Sequence, residues 1–238
     1  MNNPMTENLI LELTRRCNMN CAHCLRGHCQ NHDMTFEIAK KAIDQFDYIN
    51  SITFSGGEPT LCEDLIEKIV DYIISNNINV QGFYMASNGM NVSMKTMFAL
   101  SNLYGYIYRN YGVDEYQCTF DISLDQYHNS ISDMNKGILH SFSFVSERGN
   151  IPERGVISEG LANDNGIGCR YLNHYETFDV DDCGDYNCYS MVYVNAKGNI
   201  LPCCDFSYET QDYLSCINIC DDTFDNLANR YNDMIVSK

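Results

Sequence analysis

The chain has no tryptophan, few cations and no long apolar run. No stretch approaches the roughly 18–20 apolar residues needed to cross a bilayer. Nor does the N-terminus carry a basic segment followed by an apolar one and a cleavage site, so the sequence predicts a cytoplasmic protein without a membrane partner. Only 15 Lys and Arg stand against 32 Asp and Glu, a formal charge of -17, and no basic run occurs anywhere. A phosphate backbone would be repelled at long range, which argues against nucleic acid and favours a basic peptide or a small molecule. The missing tryptophan, set against 17 tyrosines, excludes nothing. Internal repeats and low-complexity tracts are also absent.

What is abundant is cysteine, 13 residues in a chain of 238. Cytosolic thiols stay reduced, so a disulfide framework is a poor account and metal or cluster ligation a better one. Hydrophobic residues make up 45% and charged residues 20%, enough for a globular core in one α/β domain with a small appendage.

Apolar patterning orders the chain. Asn8 to Leu13 reads as a first strand, and Thr35 caps a helix to about Phe46 with Ile38, Ala42, Ile43 and Phe46 on one face. Ser51 to Phe54 is a second strand, Asp64 to Ser75 a helix with Leu65, Ile69, Tyr72 and Ile73 inward, and Val80 to Ala86 a third strand. A helix over Ser93 to Leu103 and a fourth strand over Cys118 to Leu124 follow. Alternation of this kind predicts βαβ units and a parallel sheet. Leu139 to Val145 and Gly155 to Ile157 read as further strands, although five glycines between 149 and 168 blur the period. Beyond Cys183, residues 189–194 and 200–203 form a β-hairpin across Ala196–Asn199, and Thr223 to Met234 a closing helix.

Directly after the first strand, Cys17, Cys21 and Cys24 stand as C-x3-C-x2-C. Three thiolates on one short loop can take three corners of an iron–sulfur cubane and leave its fourth iron open. A structural zinc site completed by His28 or His32, or three free thiols, are the alternatives. Gly56-Gly57-Glu58-Pro59 closes the second strand, Ser87-Asn88-Gly89 the third and Ser123-x-Asp125 the fourth. Glycines at a strand end allow a sharp turn and close backbone approach to a ligand.

These elements in this order resemble the radical SAM superfamily, whose signature is the cysteine triplet after the first barrel strand. The resemblance implies a [4Fe-4S] cluster on Cys17, Cys21 and Cys24, with S-adenosylmethionine on the fourth iron. Cleavage of that cofactor would give a 5'-deoxyadenosyl radical that abstracts hydrogen from substrate. Glu58 and the backbone of Gly56 and Gly57 would hold the methionine ammonium. Ser87, Asn88, Ser123 and Asp125 would hold the carboxylate or ribose, and His23 would lie near the adenine. The implied fold is a partial (β/α)6 TIM-like barrel over residues 1–180. Residues 126–182 are short for two further βα units, so the barrel is expected to be truncated after its fourth strand or reduced to loops there.

Cys183-x4-Cys188, then nine residues, Gly198 and four more to Cys203, resembles the start of the Twitch and SPASM extensions of the same superfamily. Residues 181–238 are then a small region, a cysteine-rich β-hairpin plus helix, holding one auxiliary iron–sulfur cluster. Cys183, Cys188 and Cys203 are ligands, with Cys220 preferred over Cys216 and Cys204 as the fourth; a four-cysteine zinc site is the alternative. Cys29, Cys62, Cys118 and Cys169 lack partners at ligand spacing and read as small buried apolar residues. Tyr127, His128 and Arg170 fall at strand ends on the cofactor side. No N-terminal peptide-recognition domain is evident.

The substrate is a ribosomal peptide under maturation or a small molecule such as a sugar, amino-sugar or nucleotide. The electron comes from a donor of flavodoxin or ferredoxin type. A non-catalytic zinc or iron–sulfur module has no use for Gly56–Pro59 or Ser87–Gly89.

Overall fold

The computed structural model describes residues 4–112, 117–169, 179–180, 186–188, 191–201, 203–214 and 217–236. Strand β1 (Met5–Thr14) leads through the cysteine loop to helix α1 (Phe36–Ile43), then β2 (Tyr48–Gly56), α2 (Glu63–Ser75) and β3 (Phe83–Ser87). Next come α3 (Met94–Tyr111), β4 (Cys118–Ser123), α4 (Asp133–Leu139) and β5 (Val145–Arg148). All neighbouring pairs from β1 to β5 are parallel, so their C-terminal ends share one rim.

The helices start where the sequence supplies caps. The hydroxyls of Thr35, Ser93 and Ser132 accept from the backbone N–H groups of Ile38, Thr96 and Asn135, each satisfying an otherwise unpaired donor. Helix α2 turns Ile66, Ile69, Val70 and Ile73 into the core, one step round from the predicted face. Leu65 and Tyr72 are only half-buried.

Strands β2 to β4 alternate. Phe54, Met85, Phe120 and Ile122 pack in the core, while Thr53, Ser55, Tyr84, Ala86 and Ser123 line a cavity on the other face. That face of the sheet is therefore partly polar, as a ligand site requires.

Three predicted strands differ. Leu139 to Val145 is the end of α4, a turn and only the start of β5. Its apolar residues anchor a turn instead of a ladder: Phe142 packs on Phe98, and Phe144 on Phe83 and Tyr104. Gly155 to Ile157 contributes a 3-10 turn and a single bridge from Ile157 to Cys169. The third strand starts at Phe83, with Val80 making one bridge to Ile49.

Further along lie α5 (Gly160–Asp164), β6 (Asp179–Val180), β7 (Tyr186–Cys188), β8 (Val192–Val194), β9 (Ile200–Leu201), α6 (Tyr208–Leu214) and α7 (Phe224–Val236). The hairpin is present as antiparallel β8 and β9. It is not set apart, because β8 also pairs parallel with β1, Leu9 opposite Val192 and Leu11 opposite Val194. Strand β1 is thus paired along both edges as an interior strand of the sheet, and it is buried without a break from Leu9 to Thr14. The sheet runs one strand beyond β4, and the architecture is a mostly parallel α/β sheet with a cysteine-rich C-terminal region. Among the described residues no helix is long and apolar enough to cross a membrane.

Candidate functional site

The cysteine loop is pinned from two sides. The backbone N–H groups of Gly57 and Glu58 donate to the carbonyls of Thr14 (2.8 Å) and Arg16 (2.9 Å), locking the end of β2 to the loop's entrance. A Cβ at Gly56 would stand 2.4 Å from the Thr14 oxygen, and one at Gly57 2.3 Å from the Arg16 oxygen. Only glycine permits this approach. From the far side, Leu161 N–H donates to the Cys24 carbonyl at 2.9 Å and the Asn165 amide to that of Ala22 at 2.9 Å. Gly160, at φ +54°, sits where a side chain would strike the Leu25 and Cys24 carbonyls.

Cys17, Cys21 and Cys24 are half-buried and line one cavity of about 360 Å3. Burial raises the thiol pKa of Cys17, and burial together with the neighbouring thiols pushes Cys21 up to about 11. Among the described residues, no three of Cys17, Cys21, Cys24, His28, Cys29 and His32 bring their ligand atoms within 4.8 Å of one another. His28 and His32, the candidate fourth ligands of a zinc site, are exposed.

Glu58 is 1% exposed and fully engaged. Its Oε1 accepts from Thr60 Oγ1 (2.6 Å), Thr60 N–H (3.2 Å) and Ser87 Oγ (2.8 Å), and its Oε2 from Asn88 N–H (2.8 Å). The carboxylate therefore brackets the turn after β2 to the end of β3. Asn88 reaches the cysteine loop, its amide donating to Asn18 Oδ1 at 2.7 Å. Ser123 lines the same cavity.

Asp125 is buried just beyond it, Oδ1 accepting from Tyr127 N–H (2.9 Å) and meeting His128 Nδ1 at 2.8 Å. Burial pushes the Asp125 carboxyl up, but these hydrogen bonds outweigh it and hold its pKa below the ordinary value. His23 stacks on Tyr127 at 4.5 Å between ring centres and meets His128 edge-on at 5.1 Å. Its Nδ1 is buried without a hydrogen-bond partner, and burial lowers its pKa. Such an atom calls for a ligand.

The structure adds Tyr84 and Arg148 to the cavity wall. Arg148 donates to the Tyr84 hydroxyl at 3.3 Å, which itself donates to Asp121 at 2.9 Å. The alternation along Phe83–Ser87 was the available signal for Tyr84, whereas Arg148 ends β5, a strand that the sequence pattern places one turn too early. Arg170 lies outside the described residues.

The second cysteine group is partly described. Cys203 and Cys204 are half-buried, and their sulfurs and an Asp205 oxygen lie within 4.8 Å of one another. A hydrogen bond from Cys204 lowers the Cys203 pKa. No such group among the described residues includes Cys220, which is exposed. Cys188 ends β7 with its side chain outside the description, and Cys183 and Cys216 lie outside the described residues. Of the four cysteines read as structural, Cys62 and Cys118 are buried, whereas Cys29 and Cys169 are exposed. Cys29 lines a recess of about 50 Å3 with the three loop cysteines.

Comparison with known proteins matches residues 11–137 to the radical SAM superfamily. Over 80 residues the chain is 49% identical to uncharacterized protein MJ0907 of Methanocaldococcus jannaschii, covering 32% of this chain and 28% of that one. Over 89 residues it is 30% identical to the mycofactocin maturase MftC of Mycolicibacterium smegmatis, covering 36% and 22%. The matches thus span under a third of either curated relative. Among solved structures, native anSMEcpe with bound AdoMet and Cp18Cys peptide superposes with TM-score 0.56 at 15% identity, over 97% of this chain and 82% of that one. Streptococcus suis SuiB bound to precursor peptide SuiA gives 0.51 at 13%, over 98% and 67%. At such identities the likeness is one of fold. The family match runs from the end of β1 through β4 with the cysteine loop and all three strand-end motifs, and the chain belongs to the radical SAM superfamily.

Proposed function

We propose that this chain is a radical SAM enzyme in which Cys17, Cys21 and Cys24 hold three irons of a [4Fe-4S] cluster, with S-adenosylmethionine on the fourth. When bound, the pair supplies a 5'-deoxyadenosyl radical that abstracts hydrogen from substrate. The observation that carries this reading is convergence: three half-buried thiols, the Gly56–Glu58 turn, Ser87, Asn88 and Ser123 all face one cavity at the strand ends. Ser87, Asn88, Ser123 and Asp125 take the cofactor's carboxylate or ribose. The Gly56–Glu58 turn takes its ammonium, Glu58 mainly by fixing the turn. His23 lies against the adenine, which gives its orphaned Nδ1 a partner. Leu25, Val156 and Ile157 close the wall with apolar surface and exclude water.

The substrate in this reading is a peptide. Its support is that SuiB and anSMEcpe, which share the fold, are described with peptides bound, and that MftC is a maturase. Residues 181–238 form a Twitch-like region with a second cluster on Cys183, Cys188, Cys203 and one further ligand. Cys203 lies two residues past the end of the returning strand β9, and Cys204 and Asp205 lie against it. The reducing electron comes from a protein donor of flavodoxin or ferredoxin type.

The test is iron content after anaerobic reconstitution with iron and sulfide. The wild-type chain binds about eight irons, and a Cys17→Ala, Cys21→Ala, Cys24→Ala variant about four. Stoichiometric zinc with no iron in either protein overturns the proposal.

A further inference from the structure

Arg26 follows the last loop cysteine by two residues and lines the cavity that Cys17, Cys21 and Cys24 share. Its Nη1 donates to the backbone carbonyls of Cys204 (2.6 Å) and Phe206 (2.7 Å), and its guanidinium lies 5.0 Å from the centre of the Tyr193 ring. No carboxylate among the described residues pairs with it. The nearby buried carboxylate, Glu12, is saturated by Arg15 Nε (2.8 Å), the Tyr193 hydroxyl (2.6 Å), Gln211 (2.9 Å) and the Ala196 N–H (3.1 Å). Arg15 spends its remaining charge on Asp212, which Lys197 also binds.

Behind the cysteine loop Arg15 and Lys197 are thus paired with Glu12 and Asp212, while Arg26 makes no ion pair among the described residues and shares a recess with Glu159, Asp164 and Glu209. A half-buried guanidinium held by carbonyls and a ring, without a direct ion pair, keeps charge available for an anion in the cavity it lines. Three thiolates on a cubane make an anion, and one-electron reduction adds further negative charge.

We infer that Arg26 is the counter-charge of the cluster on Cys17, Cys21 and Cys24, raising its reduction potential while tying its loop to the Cys203–Cys204 segment. This rests on the cluster reading above. Arg26 acts through the cluster, so it is a positioning and tuning residue.

The test uses the full chain reconstituted anaerobically, with iron counted and the cluster titrated by dithionite under electron paramagnetic resonance, dithionite supplying the single electron. In Arg26→Gln with wild-type iron, reduction becomes about tenfold less favourable, a midpoint lower by about 59 mV for a one-electron couple. Arg26→Lys recovers most of that shift. Arg26→Met, which keeps an apolar stem of similar length and removes the charge, lowers the midpoint likewise and keeps the test decisive if Arg26→Gln folds poorly. Unchanged midpoints in iron-replete variants overturn the role of Arg26 alone. A wild-type chain that takes up no iron overturns both it and the cluster reading.

Discussion

A methyl group on Gly57 would lie 2.3 Å from the Arg16 carbonyl oxygen, backbone against backbone, with no flexible side chain to yield. Gly57→Ala therefore destabilises the metal-free protein by roughly 3 kcal/mol, read as a lower urea midpoint, and loosens the cysteine loop enough to impair iron uptake. Asp125 carries a pH signature. Its folded pKa lies below the ordinary value of about 3.9, so its contribution to stability is complete above that pH and fades as pH falls through the folded value. The stability gap between wild type and Asp125→Asn should be widest near neutrality and shrink below about pH 4; a gap constant with pH contradicts the assignment. The cysteine triplet, Gly56–Gly57 and Ser87–Asn88 were legible because each motif is contiguous and sits at the end of a strongly patterned strand. The stacking of His23 on Tyr127, the Asp125–His128 contact and the role of Arg26 were not, because they join residues far apart in sequence or depend on side-chain direction.

Between elements, Glu58 does the joining: its carboxylate holds Thr60 within the turn after β2 and accepts from Ser87 and Asn88 at the end of β3. Glu58→Ala strands the Thr60 and Ser87 hydroxyls and the Asn88 N–H in the interior, so it costs about 2–4 kcal/mol in denaturant unfolding before any cofactor is present. A variant as stable as wild type would show that the bracket is dispensable and leave Glu58 to cofactor binding alone. Strands β1, β2 and β4 and helices α1 to α3 were readable from periodicity and caps. Leu139–Val145 was misread because aromatic residues anchoring a turn under α3 have the same composition as a buried strand. Helix α6 was missed because Tyr208–Leu214 carries no apolar stripe and is held by polar contacts, such as Gln211 to Glu12.

For the molecule as a whole, the C-terminal hairpin belongs to the same sheet as the barrel strands. Strand β8 pairs with β1, and the buried Glu12 draws partners from Arg15, Tyr193, Ala196 and Gln211. The cysteine spacing after Cys183 marked this region in the sequence, but a backbone pairing between residues such as Leu9 and Val192 leaves no local trace. A chain ending at residue 180 exposes one flank of β1 and removes Tyr193, Ala196 and Gln211 from Glu12 and Gln211 and Asp212 from Arg15. It should lose cooperative thermal unfolding, and a sharp transition in that fragment would instead support an independent barrel. The central claim is that the convergent cavity cleaves S-adenosylmethionine, and its most direct measurement is 5'-deoxyadenosine formed by the reconstituted protein with dithionite under anaerobic conditions. The account predicts steady formation by wild type and none by the Cys17→Ala, Cys21→Ala, Cys24→Ala variant. Iron-replete wild-type protein that releases no 5'-deoxyadenosine would contradict it.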